Sequence, residues 1–240
     1  EGRFYPYYVE ERDLEEMRAK ARHLGTFTSV ATGALQALSV YTMGGEWEYK
    51  FAGKRDAPQQ PSPQLLAELN AVLQAILERN QWLGDLDCEI HDTSRQDGDV
   101  VVSGYAAPDG ICDFRRLSAD LCKQPANPKR LNDWLDVSPQ NSWTFGVHTI
   151  YDERMRRIDH ERAIGLHIVY DDGGKNWDYL PAWPQQHGDD TLCGKFGHLI
   201  KRNTPRSAKR GITDYWPVQT DLEREAKLSE NLAVGAAVMA

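Results

Sequence analysis

Hydrophobic positions near the start of the chain recur three and four residues apart, which is the spacing of an α-helix. This pattern predicts one helix over residues 10–24, ended by Gly25, and a second over residues 26–43, ended by Gly44-Gly45. The apolar stripe of the second helix is wide, which is typical of a helix that is buried on more than one side.

Residues 47–90 predict a short strand followed by a third helix. Ser62 and Pro63 suit the start of that helix, because serine caps a first turn and proline tolerates its first position. Helical spacing continues past Gly84 to Ile90. The strand is predicted from three aromatic residues at alternate positions: Trp47, Tyr49 and Phe51.

From Asp97 onward the hydrophobic period shortens to two, as it does in β-strands. Residues 100–105 and 111–117 predict two strands, which are joined by a turn at Pro108-Asp109-Gly110. Further alternating segments predict strands in four ranges: residues 143–147, 166–170, 177–179 and 196–200.

The last predicted element is a helix from Val218 onward. Thr220 and Glu223 have the spacing of a capping box, and Pro217 suits a helix start. Four positions lie on one face of this helix: Leu228, Leu232, Gly235 and Met239. No glycine, asparagine, proline or basic turn marks its end, so we expect this face to be covered by further polypeptide or by a larger assembly.

Helices therefore come first, strands follow, and a long helix closes the sequence. This segregation predicts an α+β fold with a mostly antiparallel β region. We expect three segments: an N-terminal helical segment with a strand over residues 1–51, an α+β body over 64–217, and the start of a long helix over 218–240.

The composition is that of an acidic globular protein, with 27% charged residues and a net charge of -8. An acidic surface argues against a dedicated nucleic-acid-binding protein, but it suits a protein through which DNA passes without being held. No apolar run is long enough to cross a bilayer, so no membrane association is predicted.

The sequence predicts no cofactor and no metal site. No phosphate-binding glycine loop is present, and the four cysteines form no Cys-x-x-Cys pair. His148 and His167 fall on predicted strands that can be neighbours, although ordinary half-buried histidines are the simpler interpretation.

One loop is basic against this acidic background, since residues 199–212 include no acidic residue. Three interpretations stay open: contact with an acidic neighbouring subunit, contact with DNA phosphate, or an ordinary solvated loop. The candidate contact residues are Lys201, Arg202, Arg206, Lys209 and Arg210.

Acidic residues beside tryptophans suggest an alternative function, a carbohydrate-active hydrolase. Such an enzyme places two carboxylates across a cleft and stacks sugar rings on aromatic side chains. The same tryptophans also suit the core and interfaces of a strand-rich protein. The candidate segments are Glu46-Trp47-Glu48, Asp133-Trp134 and Trp177-Asp178.

Four segments follow one another in an order that has a counterpart in a known family. An early helix runs from Ala21-Arg22 to Gly44-Gly45, and residues 82–102 form a helix followed by a hairpin around Asp97-Gly98-Asp99. A short strand at residues 177–182 precedes a final segment over residues 198–240. That segment holds a strand and a basic loop that contains a proline. The dipeptides Arg210-Gly211 and Pro217-Val218 follow, and a long helix comes last. This order resembles the portal proteins of tailed bacteriophages, of the lambda-like type.

The resemblance implies a wing-like part of a structural subunit, with no catalytic residues. It implies a cyclic homo-oligomer, a dodecamer, at one vertex of the virion capsid, assembled in the host cytoplasm. The ring would be the conduit for genome packaging and ejection. Its implied partners are the major capsid protein, the terminase large subunit, a head–tail adaptor and double-stranded DNA, which passes through without specific binding. The clip and stem elements of the family have no counterpart in these residues.

Overall fold

The computed structural model describes residues 11–45, 47–53, 60–154, 156–171, 174–182, 194–204 and 208–239, with the backbone alone for 157–162 and 235–239. The predicted α+β class is confirmed. The α-helices are α1 Glu11–Phe27, α2 Ser29–Met43, α3 Pro63–Arg79, α4 Asp87–Asp97, α5 Pro128–Trp134 and α6 Gln219–Met239. The strands are β1 Asp99–Ala106, β2 Cys112–Leu117, β3 Ser142–Thr144, β4 Val147–Asp152, β5 Arg157–Val169, β6 Trp177–Pro181 and β7 Lys195–Lys201.

The strands form two antiparallel sheets. The first has the order β2-β1-β7, and the second has the order β3-β4-β5-β6. In the first sheet Val101 pairs with Leu117 of β2 on one side and with Leu199 of β7 on the other. The long excursion from β2 to β7 in sequence therefore encloses the whole second sheet.

Strand β1 is buried on both of its faces. Val101 packs in a cluster with Leu166, Ile168 and Leu180 of the second sheet. The alternate residues Val100 and Val102 pack against Ile90 of α4. This two-sided burial explains why β1 contains three consecutive valines instead of alternating apolar and polar residues.

Helix α1 joins the N-terminal helices to the rest of the fold. Leu14 and Met17 pack against Ile212, in the segment that precedes α6. One helical turn further on, the side chains of α1 reach α2, the same segment and α6 itself. This second cluster contains Ala21, Leu24, Ala31, Tyr215 and Leu222.

The predicted third helix is interrupted, and the expectation that it continues to Ile90 is wrong. Helix α3 ends at Arg79, Gln81 adopts a left-handed conformation with φ 47°, and Gly84 has φ 90°. Asp87 accepts a hydrogen bond from the backbone N–H of Gly84, which fixes the turn into α4. Helical spacing alone does not reveal this break, because α4 resumes with its own apolar face.

Three further predictions at element ends or in short segments are wrong. Residues 47–53 form no strand, since Asn70 of α3 binds both backbone groups of Phe51 instead. Helix α1 passes through Gly25 to Phe27. Thr220 lies inside α6, which begins at Gln219, so it is not the residue before the first turn.

The segment predicted as one strand over residues 143–147 is a hairpin. Phe145 has φ 52° and Gly146 has φ 79°, so two residues with positive φ join β3 to β4. This backbone is that of a tight two-residue hairpin turn, for which asparagine and glycine are the usual first residues. A phenylalanine at the first position hid the turn from sequence analysis.

Gly98 and Gly211 allow a close approach of two backbone segments. Gly98 has φ 85°, and a methyl group added there would lie 2.6 Å from the backbone nitrogen of Thr213. A methyl group on Gly211 would overlap the carbonyl oxygen of Gly98. Glycine at both positions therefore brings the segment before α6 against the junction of α4 and β1.

We predict that Gly98→Ala destabilises the protein by at least about 3 kcal/mol, because a left-handed backbone and a steric overlap add together. The matched control is Gly84→Ala, where φ is 90° but nothing lies within 4 Å of the added methyl group. That change carries only the cost of a left-handed alanine, about 1 kcal/mol. Urea unfolding of both variants measures the difference, and equal losses would contradict this account.

Candidate functional site

The basic loop is more engaged with the protein than the sequence indicated. Lys201 ends β7 and its ammonium donates to the backbone oxygen of Ala208, and burial lowers its pKa. Arg202 donates from Nε to Ser94 Oγ of α4 at 3.0 Å. Lys201, Arg202 and Lys209 are half-buried, and Arg206 lies outside the described residues.

Arg210 is a core residue, so its prediction as a contact for a subunit or for phosphate is wrong. Its side chain is 1% exposed. The guanidinium donates to Asp99 Oδ2 at 2.6 Å and to three backbone oxygens, which belong to Ala119, Cys122 and Phe145. These acceptors occupy the N–H groups of Arg210 that would otherwise bind a partner at the surface. They also explain how a full positive charge is held inside the fold.

Asp99, at the start of β1, is the centre of this network. Arg18 of α1 donates to its second oxygen at 2.9 Å, and the backbone N–H of Gly211 also donates to Asp99. Arg18 bonds in addition to Asp120. Burial acts to raise the pKa of Asp99, but the charges of Arg210 and Arg18 outweigh it and hold that pKa below its usual value.

We predict that Asp99→Asn costs about 3 kcal/mol or more of folding free energy, because the buried guanidinium of Arg210 loses its carboxylate partner and Arg18 keeps only Asp120. The matched control is Asp109→Asn, which removes a carboxylate that pairs with Arg79 at the surface. Its loss should be much smaller, since water screens an exposed pair. Denaturant unfolding compares the two variants, and a similar loss in both would refute a central role for Asp99.

The two histidines predicted on neighbouring strands lie on β4 and β5, next to each other in the second sheet. Both contact Trp143: the ring of His148 stacks on it with centroids 4.1 Å apart, and His167 meets its edge. His148 Nδ1 lies 3.1 Å from the hydroxyl of Tyr179, while its Nε2 has no hydrogen-bond partner among the described residues. They are therefore core histidines and not an exposed catalytic pair.

We predict a loss of stability in mild acid that originates at His148. Burial lowers its pKa from 6.5 to about 4, so the unfolded chain takes up a proton at a higher pH than the folded protein. Stability is therefore full above about pH 6.5 and falls toward pH 4, by about 3 kcal/mol in total. Burial lowers the pKa of His167 as well, which acts in the same direction.

Unfolding free energies measured between pH 4 and 7 test this expectation. His148→Phe preserves the stack on Trp143 and should remove most of the slope. The matched control is His198→Phe, whose side chain is exposed on β7 and should leave the slope unchanged. A wild-type slope that persists in the His148 variant would show that another group is responsible.

Helices α2 and α4 share a polar cluster that sequence analysis did not detect. Thr42 Oγ1 lies 2.8 Å from His91 Nε2, and His91 Nδ1 lies 3.0 Å from Asp92 Oδ1. This is the connectivity of a hydroxyl, a base and an orienting carboxylate. However, Arg95 donates from Nε to the same nitrogen of His91, and Thr42 donates to the oxygen of Leu38. Ser39 of α2 also donates from its hydroxyl to Asp92. The cluster therefore ties two helices together, and the hydroxyl protons of Thr42 and Ser39 are donated to a backbone oxygen and to a carboxylate instead of to His91.

A cleft of about 490 Å³ lies between α5, the second sheet and the start of α1. Trp134 and Trp177 form one wall, with ring centroids 5.7 Å apart in an edge-to-face arrangement. We call this feature the tryptophan cleft. Its remaining lining includes His167, Pro125, Leu131, Val169, Lys123 and Arg130.

The tryptophan cleft unites two of the three segments that suggested a carbohydrate-active enzyme. Two carboxylates line it, those of Glu11 and Asp171. Glu11 accepts a hydrogen bond from the backbone N–H of Gln124. Asp171 accepts from Lys175 and Asn176 within its own turn. Both carboxylates thus hold the backbone of the cleft, and neither is positioned by these contacts as a proton donor to a ligand.

A second, apolar groove of about 320 Å³ lies between α2 and α6. Its lining residues include Val30, Ala34, Leu35, Leu38, Val218 and Leu222. We call it the α2–α6 groove. Helix α2 has no charged residue, yet among its fifteen residues only Ala31 is buried. Such a helix, exposed and without charge, is unusual on the surface of a lone protein.

Apolar exposure extends to other helices. Leu65, Leu69 and Val72 follow one another at helical spacing along α3 and are 37–53% exposed. On α6, Leu228 and Leu232 are 60% and 65% exposed, beyond the point where Leu222 anchors the helix. The exposure of Leu228 and Leu232 agrees with the expectation that these two residues of the α6 face are uncovered. Gly235 and Met239, the other two residues of that face, lie where the structure describes the backbone alone.

No helix in the described ranges is both long and apolar enough to cross a membrane. Among the residues that the structure describes, no three histidine, cysteine, aspartate or glutamate side chains are grouped so that they could hold a metal ion. No protein-family model and no curated protein sequence matches this chain.

Proposed function

We propose that this chain is a structural subunit of a portal ring at the capsid vertex of a tailed bacteriophage, where it forms part of the conduit for DNA packaging and ejection. The proposal starts from the order of landmarks along the sequence. The exposed apolar surface of α2, α3 and α6 supports it most strongly, because a subunit of a closed ring needs such surfaces on opposite sides.

The distribution of these surfaces favours a head-to-tail assembly. The α2–α6 groove is concave, whereas the stripe of Leu65, Leu69 and Val72 on α3 is the convex side of a helix. Two different surfaces that fit each other generate a ring when the rotation between subunits closes. An isologous dimer instead needs one surface that complements itself. The α2–α6 groove and the α3 stripe are two different surfaces, so they suit a head-to-tail contact better than an isologous one.

The charge of the chain agrees with a passive role toward DNA. The net charge is -8, and Arg210 of the basic loop is buried with Asp99. A conduit of this kind repels phosphate weakly and lets the duplex slide. ATP hydrolysis belongs to the terminase large subunit in this proposal, and the chain itself carries no catalytic residue and no cofactor. The major capsid protein and a head–tail adaptor are the other proposed partners.

A carbohydrate-active hydrolase is the second candidate, and the tryptophan cleft is the observation in its favour. The hydrogen bonds of Glu11 and Asp171 to backbone weaken this candidate, because an enzyme of this class needs a carboxyl group free to transfer a proton. Release of reducing sugar from oligosaccharide substrates, lost on Trp177→Ala, would favour the hydrolase over the portal subunit.

We predict that the full-length protein forms closed oligomers and that two acidic substitutions on α2 abolish them. Val40 and Tyr41 are 74% and 90% exposed, so Val40→Glu with Tyr41→Glu should leave the fold intact while placing charge in an apolar contact. Light scattering coupled to size exclusion measures the mass, and circular dichroism checks the fold.

The matched control also lowers the net charge by two, through Lys129→Gln with Gln140→Glu at exposed sites away from α2. It should assemble like the wild type. A wild-type protein that remains monomeric would contradict the proposal. Assembly of the α2 variant at wild-type strength would instead show that α2 lies outside the subunit contact.

A further inference from the structure

The tryptophan cleft has the dimensions and the lining of a site for a small ligand. Its volume of about 490 Å³ falls in the range of protein ligand pockets, which are largely apolar and orient the ligand with a few polar groups. Its lining residues come from α1, α5, β5 and β6, which are distant from one another in sequence. The cleft is therefore shaped by the fold and not by a single surface loop.

Two tryptophans give the cleft an aromatic corner. Trp134 of α5 and Trp177 of β6 are 47% and 40% exposed, and the planes of their rings lie 85° apart. A flat ring that stacks on one of these indoles therefore meets the edge of the other. Each indole also carries an N–H donor, which has no acceptor among the described residues. The corner suits a ring with an apolar face and polar edges, which is the form of a pyranose sugar.

His167 supplies a hydrogen-bond acceptor to the same cleft. It is 7% exposed, and its ring centroid lies 5.5 Å from that of Trp177. Its Nδ1 lies 2.7 Å from the backbone oxygen of Lys123, which can only accept, so the proton of the neutral ring is on Nδ1. Burial lowers the pKa of His167, so at neutral pH Nε2 carries a lone pair. Because no described residue donates to Nε2, a hydroxyl group of a ligand can donate to it.

The charges of the lining favour a neutral ligand over a polyanion. Lys123 and Arg130 contribute two positive charges, and Glu11 and Asp171 contribute two negative charges, so their sum is zero. Grooves that bind nucleic acids instead carry an excess of positive charge. Arg130 is exposed and its guanidinium pairs with no described residue, so its N–H groups can donate to the hydroxyl oxygens of a sugar.

We infer that the tryptophan cleft is a non-catalytic binding site for a neutral carbohydrate. One pyranose ring packs in the corner of Trp134 and Trp177, one of its hydroxyl groups donates to His167 Nε2, and Arg130 donates to another oxygen. The carboxylates of Glu11 and Asp171 remain bound to backbone N–H groups, so the site holds the sugar without cleaving it. This inference does not depend on ring formation, and it differs from the hydrolase candidate in that no bond of the ligand is broken.

Nuclear magnetic resonance of the full chain, with its tryptophans labelled with nitrogen-15, tests the inference. The probes are three neutral trisaccharides: cellotriose, maltotriose and chitotriose. We expect at least one of them to shift the indole signals of Trp134 and Trp177 in a saturable way, with one dissociation constant for both signals. Trp47 is 54% exposed and does not line the cleft, so its indole signal is the internal control and should not move. Absence of saturable shifts with all three sugars would overturn the inference.

Matched variants identify the residues that bind the sugar. Trp177→Ala should weaken binding at least about tenfold, because it removes one wall of the corner, whereas Trp47→Ala should leave the dissociation constant unchanged. Arg130→Gln should weaken binding about threefold through the loss of a hydrogen bond. Its control is the neighbouring Lys129→Gln, which is also exposed but does not line the cleft. Circular dichroism checks that each variant is folded, and equal affinities in the Arg130 and Lys129 variants would contradict the assigned geometry.

Two further measurements separate this site from its alternatives. Binding of a neutral sugar should not change between low and high salt, whereas a nucleic-acid site weakens steeply as salt rises. Single-stranded oligothymidylate that shifts the same indole signals at lower concentration than the sugars would overturn the inference in favour of nucleic acid. Chromatography of the trisaccharide after long incubation should recover it intact, and its cleavage would contradict the non-catalytic assignment.

Discussion

The carboxylate of Asp99, held between Arg18 and Arg210, is the interaction on which the arrangement of the fold depends. Asp99 opens the central strand of the first sheet, Arg18 belongs to α1, and Arg210 lies in the segment that leads to α6. Arg210 also bonds to the oxygens of Cys122 and Phe145, which border the second sheet. A single buried cluster of charges therefore connects both sheets with the helices at both ends of the chain.

Such a cluster contributes more to geometry than to net stability. The desolvation of buried charges offsets most of their attraction, so a well-packed apolar substitute could give similar stability. A carboxylate that accepts hydrogen bonds from several fixed donors, however, tolerates few alternative arrangements of the segments that carry those donors. In this fold the cluster determines how α1 and the segment before α6 approach β1, and the paired glycines 98 and 211 make that approach sterically possible.

Sequence analysis predicted the fold class and most elements because periodicity reports burial directly. The predicted strands at residues 100–105 and 111–117 match β1 and β2 closely. It failed where the backbone departs from a regular period, as at Gln81 and Phe145, both of which have positive φ. Non-glycine residues in that conformation give no local signal, because the surrounding tertiary structure imposes it.

The candidate site was harder to predict than the fold. Arg210 is buried against Asp99, which is 111 positions away in sequence, so nothing near Arg210 in the chain reveals this partner. Its basic neighbours indicated a surface loop instead. The tryptophan cleft depends on α5 and β6 meeting, and only the aromatic character of Trp134 and Trp177 was visible beforehand. The apolar face of α6 was predictable, since its spacing needs no knowledge of tertiary contacts.

The central claim is that the uncharged surface of α2 and the apolar faces of α3 and α6 are buried between copies of this chain in a closed ring. Cryo-electron microscopy of the full-length protein tests it most directly. The account predicts rings in which α2 of one subunit lies against its neighbour, with the α2–α6 groove filled. Single particles of one chain, or rings in which α2 faces solvent, would contradict it.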